Sequence, residues 1–234
     1  MPTPRTPQAD PLLELGRLDG VASAQAAAQA AVDVVLRGLP RRRISEQQSV
    51  AALTETTRAS AQLEPDPERW TDGADRLAAE LPVLTRQIRV APGNVLARMH
   101  LLLARGVSTE AELGRTRGGV DGARLTALTR LLTTPTTASA LVLAAIAHAE
   151  LVSLQPFGAG SGVIARAVEH LVLMEAGIDP VGMIMIERGH VDAGAEYAAA
   201  RQAYATGTPL GVARWLSHSA VAVARGAELS PLAR

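Results

Sequence analysis

Residues Leu154 to Arg166 read LQPFGAGSGVIAR, a stretch that holds the only phenylalanine of the 234-residue chain. Glycines at 158, 160 and 162 allow backbone conformations closed to other residues, so that consecutive N–H groups can converge on an anion. The helix expected from about Val163 adds its positive end and its unpaired N–H groups. Such a loop can hold a phosphate without any charged side chain. Nothing in it moves a proton near neutral pH, however, because Gln155, Ser161 and Arg166 do not titrate there. The plainer alternative is a tight turn between two packed helices. A dinucleotide-binding loop is disfavoured, because the segment before it has helical and not strand character.

The other groups able to do chemistry are scattered. Glu169 and His170 are adjacent on the helix after the loop and point in different directions, which argues against a catalytic dyad. His148 lies on the helix before the loop. His100, His190 and His218 include no pair at the i, i+4 spacing of a helical zinc site, and with no cysteine there is no thiolate metal site or disulfide framework. Trp70, Trp215, Tyr197 and Tyr204 read as packing elements and not as a platform for bases.

The elements that must position these residues are helical. Hydrophobic residues make up 47% of the chain but aromatics only 2%, so the core must be built from Ala, Leu, Val and Ile in closely spaced helices. An all-α fold follows. The formal net charge is zero and every basic side chain but histidine is arginine, a composition that fits a GC-rich bacterial genome and gives no electrostatic case for nucleic acid. Arg41, Arg42 and Arg43 form the basic run, read as a solvated junction. The opening MPTPRTPQADP lacks the apolar core of a signal peptide, and the most apolar window, Ala138 to Val152, is too short to span a membrane. The expectation is a cytoplasmic protein with no membrane partner.

Along the chain, residues 1–20 read as a flexible tail and 21–48 as an N-terminal helical extension, with the Ala-rich helix Val21 to Leu36 followed by a break at Gly38 and Pro40. A second helix is expected from Ile44 to Leu63, ended by Pro65, with Asp66 as N-cap of the next. APGN at Ala91 to Asn94 reads as a turn, VLARMHLLLARG as a helix, and LGRTRGGVDGAR, from Leu113 to Arg124, as an exposed loop or short flap. Helices are expected at Leu125 to Leu132, Thr137 to Ser153, and Val163 to Ala176, with Gly177 as the stop. Two amphipathic helices within DAGAEYAAARQAYATG and PLGVARWLSHSAVAVARG close the domain.

The segment AHAELVSLQPFGAGSGVIARAVEHLVLMEAGI resembles the central part of the Fic (Fido) family, whose motif reads H-x-F-x-(D/E)-G-N-G-R-x-x-R between two core helices. The resemblance extends through EYAAARQAYATGTPLGVARWLSH and back through VLARMHLLLARG, and it implies a Fic-like domain over residues 49–230. Measured against that motif, Pro156, Phe157, Gly160 and Gly162 match, and Phe157 is expected to be the buried anchor of the loop. Gln155 stands in place of the catalytic histidine, Ala159 in place of the magnesium-binding carboxylate, Ser161 in place of Asn and Val163 in place of the first Arg. Arg166 keeps the second. His148 falls where the family often has a helix histidine and reads as a core hydrogen-bonding residue. RASAQLEP, from Arg58 to Pro65, resembles the family's inhibitory helix motif (S/T)-x-x-x-E-(G/N), with Ser60 and Glu64 in place and Pro65 departing. The resemblance implies that Glu64 pairs with Arg166.

These matches and departures imply a protein with a degenerate active-site loop that acts by binding, through a protein partner or as a homo-oligomer. No cofactor is expected and the magnesium carboxylate is missing. ATP remains possible, with Gly160, Ser161, Gly162 and Arg166 as the anion-binding set. The alternative is a nucleotide-binding protein, or a divergent AMP transferase autoinhibited by the Glu64 helix, with His148 as the substitute base nearest in sequence.

Overall fold

A computed structural model of the chain describes residues 10–39 and 43–233. Arg41, Arg42 and the Pro-rich start of the expected tail lie outside the described residues. The elements run α1 (Pro11–Gly16), α2 (Val21–Leu36), α3 (Glu46–Ala61), a 3-10 turn (Pro67–Trp70), α4 (Thr71–Thr85), α5 (Pro92–Ala104), α6 (Gly122–Thr133), α7 (Ala140–Leu154), α8 (Ser161–Glu175), α9 (Ile186–Asp192), α10 (Ala195–Ala205) and α11 (Pro209–Glu228). Among the described residues there is no strand, and no helix is long and apolar enough to cross a membrane. The all-α expectation is met.

At the centre α7 packs on α8. α7 is apolar on nearly every face, and twelve of its fifteen residues are buried, as a helix surrounded by others requires. Around this pair lie α4, α5 and α6 on one side and α9, α10 and α11 on the other. The Ala-rich α2 runs along α11 and buries Val21, Ala28 and Val32 in the main core. Alanine is the best helix former and the smallest side chain that keeps one, so α2 forms readily and sits close. It is a wall of the core and no loose extension.

Three sequence expectations are corrected and one element is added. Residues 10–20 are not tail: Asp10 caps α1 by accepting the Leu12 N–H, and Leu12 is buried. Asp66 is not a side-chain cap; it takes a left-handed conformation (φ 52°) ahead of the 3-10 turn. The APGN turn is the first turn of α5, with Pro92 at its start, where its missing N–H is no loss. α9 was not foreseen, because seven residues give too little periodicity to read.

A buried polar cluster ties α8 and α9 to α3. His170 Nδ1 lies 3.1 Å from Glu187 Oε2 and its Nε2 3.0 Å from Asp179 Oδ2. Glu187 accepts a hydrogen bond from the Thr56 hydroxyl of α3, and Asp179 accepts from the N–H groups of Met183 and Ile184. Every charge buried here has a partner, which is the condition for burying it.

Helices approach closely where glycine removes the side chain. A Cβ on Gly189 of α9 would overlap the Ala222 carbonyl of α11, whereas one on Gly93 of α5 would meet nothing within 4 Å. Gly189→Ala should therefore destabilise the protein by about 1–3 kcal/mol through overpacking, and Gly93→Ala should be neutral or stabilise it by about 0.5 kcal/mol. Urea unfolding of the two variants against the wild type reads both signs.

Candidate functional site

The loop between α7 and α8 is held in shape by three separate causes. Gln155, after the last residue of α7, takes a left-handed conformation (φ 44°), and Gly158 and Gly160 follow at φ 73° and 81°. Gly160 is further required by space, because a Cβ there would press on the Trp70 ring and the Leu103 side chain. Gly162, already inside α8, has no unusual φ. It is small because Glu64 lies against it: a Cβ on Gly162 would overlap Glu64 Oε1.

Glu64 arrives from the turn after α3 and meets Arg166, one turn into α8. Arg166 Nη2 donates to Glu64 Oε1 at 2.8 Å and to the Ser60 carbonyl at 3.0 Å, its Nε donates to Ser60 Oγ at 2.6 Å, and its Nη1 donates to the Tyr197 hydroxyl at 2.9 Å. The Arg166 side chain is 1% exposed and that of Glu64 13%. Burial opposes the charge of Arg166, but Tyr197 and Glu64 outweigh it and its pKa is raised. The structure thus brings Ser60, Glu64 and Arg166 into one cluster with Gly162, and the carboxylate lies at the N-terminal turn of α8, where negative charge is favoured.

The remaining motif positions divide. Gln155 is exposed and Ala159 is exposed, while Val163 is fully buried in the core. Phe157 is half-buried, not fully as expected, and it stacks on His100 with ring centroids 4.4 Å apart. Ser161 does not face an external anion: it is buried, and its hydroxyl oxygen accepts the Phe157 N–H at 3.2 Å. The fit for a magnesium ion is poor. Ala159 offers no oxygen, and the carboxylate that does reach the loop, Glu64, is held by Arg166.

Arg117, in the expected flap, was missed by the sequence reading. Its Nε donates to the Gln155 carbonyl at 2.8 Å and its backbone N–H to the Pro156 carbonyl at 2.8 Å. With its Nη2 3.3 Å from the Leu154 carbonyl as well, it clamps the chain where α7 ends. Arginines in a glycine-rich flap look like solvated residues, so sequence carries no signal for this clamp.

Behind Arg166 the polar chain continues. Tyr197 Oη lies 2.9 Å from His148 Nε2, His148 Nδ1 lies 2.5 Å from Glu169 Oε2, and the same oxygen lies 2.8 Å from His190 Nε2. His190 Nδ1 meets His218 Nε2 at 3.2 Å, and Ser219 donates to the other Glu169 oxygen. One set of protons satisfies every link: the Tyr197 hydroxyl donates to His148, both His148 and His190 donate to Glu169, and His218 donates to His190. Scattered in sequence, His148, His190 and His218 converge in space, while His100 and His170 have other partners. The ligand-type atoms of His148, Glu169 and His190 lie within 4.8 Å of one another. Their 2.5 and 2.8 Å separations are nevertheless those of hydrogen bonds, since ligands around a shared zinc stand about 3.3 Å apart.

Burial sets the charges of this chain. It brings His148 down to about 3 against the pull of Glu169. Burial and the neighbouring His190 bring His218 down to about 4. Glu169 stays ionised, because His190 and His148 hold its carboxyl well below the usual range although burial pushes it up. His148 is fully buried with both nitrogens engaged, so the substitute-base role considered for it is ruled out by geometry. His100 is no better placed: it is buried, its Nδ1 accepts the Gly114 N–H, and its Nε2 has no partner among the described residues.

No family model matches the chain, and no curated protein does. Solved structures do. A Fic family protein from Desulfovibrio desulfuricans G20 superposes with a TM-score of 0.65 at 17% identity, over 90% of this chain and 74% of that one. This chain has the Fic fold. Fic-1 from C. elegans agrees: a Glu-to-Gly variant gives a TM-score of 0.62 at 21% identity over 88% of this chain and 72% of its own, and Fic-1 without that substitution 0.54 at 21% over 94% and 66%. At these identities the likeness is one of fold.

Two outcomes follow. Glu64→Ala leaves Arg166 buried beside Tyr197 and Ser60 without its anion, and should cost on the order of 3 kcal/mol, read as a lower midpoint in chemical unfolding. The pH dependence has a maximum. His148 and His218 titrate lower in the folded protein than their ordinary 6.5, so the stability they contribute is present above pH 6.5 and lost as pH falls towards 4 and 3. His170 is opposed by burial but pushed up to about 10 by Glu187 and Asp179, so its contribution is present below 6.5 and lost as pH rises through 10. Unfolding free energy should peak near pH 6.5, and in His170→Gln the alkaline decline should flatten.

Proposed function

We propose that this Fic-fold protein acts by binding, not by nucleotidyl transfer, with a protein partner or a second copy of the chain as what it engages. The observation that carries this is the composition of the loop in place. The exposed position at the end of α7 is Gln155, and His148, the substitute base nearest in sequence, is fully buried with both ring nitrogens engaged. An amide has no protonation change near neutral pH and cannot take a proton from a hydroxyl. With Ala159 exposed and no carboxylate free at the loop, there is also no support for a metal to hold phosphates.

A second reading is favoured by one specific contact. Glu64 puts a carboxylate against Gly162 and Arg166, where a helix N-terminus and a buried guanidinium would otherwise meet an anion. A phosphate could exchange for that carboxylate, which would make the protein a nucleotide binder closed by Glu64.

The test uses the full chain and Glu64→Gly. Incubated with magnesium and ATP labelled at the α-phosphate, neither protein should label itself or proteins of a cell extract. Labelling that Gln155→Ala removes would overturn the binding-only reading. Calorimetric titration of the folded Glu64→Gly protein with ATP decides the second: heat that appears only in the variant supports a closed nucleotide site, and heat in neither discards it.

A further inference from the structure

Away from the loop, α6, α7, α10 and α11 enclose a cleft of about 720 Å³, the size of a small-molecule site. Its floor is apolar. Trp215 lies beneath it, fully buried with its N–H donated to the Ala145 carbonyl at 2.8 Å, and Val212 and Ala205 give the apolar surface that reaches the cleft. The charged groups of the lining are engaged with one another, save one. Arg124 makes a two-pronged bond to Glu150 at 2.6 and 2.8 Å, and the Tyr204 hydroxyl donates to Glu150 at 2.6 Å.

Arg201 is the exception. It lines the cleft, half-buried, and among the described residues it has no hydrogen-bond or ion-pair partner; its Nε is buried and unmatched. Its guanidinium lies over the Tyr197 ring, 5.5 Å from the centroid, and Arg166 lies 5.7 Å from the same centroid. Two cations share one aromatic ring. Arg166 is matched by Glu64 and Arg201 is not. A buried N–H with no acceptor costs the full desolvation of that group, and a cation held over a ring beside another cation gains most from an anion of its own.

We propose that this cleft binds a small organic monoanion, a carboxylate with an apolar body, whose acidic group pairs with Arg201 while the body lies against Val212 and Ala205. Charge decides for a monoanion. Arg124 and Glu150 cancel, leaving one positive charge for the ligand to meet, and a phosphate dianion would bring a second negative charge towards Glu150. The planar guanidinium presents a fork that matches a carboxylate. The inference is independent of the reading of the loop, because Glu64 and the anion-facing glycines are not part of the lining.

The experiment titrates the full-length protein with 1-naphthoate, with 1-naphthalenemethanol as the uncharged probe of the same shape and with 1-naphthyl phosphate as the dianion, followed by calorimetry. Naphthoate should bind at least about tenfold more tightly than the alcohol and more tightly than the phosphate. Arg201→Gln should weaken naphthoate about tenfold and leave the alcohol unchanged, and Ala198→Trp, which fills the cleft, should remove both, each variant keeping the wild-type circular dichroism. Glu64→Gly should leave naphthoate binding as it is, which separates this site from the loop. Equal affinity for naphthoate and the alcohol, tighter binding of the phosphate, insensitivity to Arg201→Gln, or no naphthoate binding at millimolar concentration would each overturn the proposal.

Discussion

The fold is organised around one side chain that cannot give up its charge. A guanidinium stays protonated in any protein environment, so placing Arg166 in the core obliges the surroundings to supply acceptors for it. They come from three elements. Ser60 supplies a hydroxyl and a carbonyl from α3, Glu64 a carboxylate from the turn beyond it, and Tyr197 a hydroxyl from α10. Removing the cation's partners leaves a buried charge uncompensated, whereas keeping them fixes the relative positions of α3, α8 and α10. Tyr197 then passes the constraint inward through His148 to Glu169, and from there to His190 on α9 and Ser219 on α11.

The same dependence accounts for the conformation of the loop between α7 and α8. Gly158 and Gly160 are required by left-handed backbone, Gly160 also by Trp70, and Gly162 by the carboxylate of Glu64. None of these causes is catalytic. Gln155 and Ala159 are exposed and make no contact that the core depends on through their side chains, while Val163 is packed like any core residue. The arrangement separates cleanly into a scaffold, held by packing and one buried ion pair, and an outward face whose chemistry is free to differ.

How much of this was legible depends on the distance over which the cause acts. Helices announced themselves through periodicity and stop signals, and α7 and α8 were read to within two or three residues. The pairing of Glu64 with Arg166 came from two local motifs and a resemblance, not from any rule of spacing, since 102 residues separate the partners. His148, Glu169, His190 and His218 were each visible, but a search for i, i+4 pairs inspects one helix at a time and is blind to a cluster assembled from four. Ser161 was misjudged for a related reason. A hydroxyl in a glycine loop has a donor and two acceptor sites, and whether it faces out or ties the loop to itself is settled by the fold around it.

The Glu64–Arg166 pair is asymmetric in a way that bears on what it can do. The cation is almost wholly enclosed and carries three further hydrogen bonds, while the anion sits at 13% exposure after the end of α3 and makes the single bond to Arg166. Displacing Glu64 towards solvent therefore costs the desolvated interaction but restores the carboxylate's hydration, and the rest of the Arg166 cage can stay in place. Displacing Arg166 would dismantle contacts with α3 and α10 together. An incoming anion that reached Gly162 would find the guanidinium already oriented by Ser60 and Tyr197, with no ordering left to be done at the receiving side. The pair is thus fixed from the Arg166 side: the turn that carries Glu64 can shift without disturbing the core, whereas Arg166 cannot.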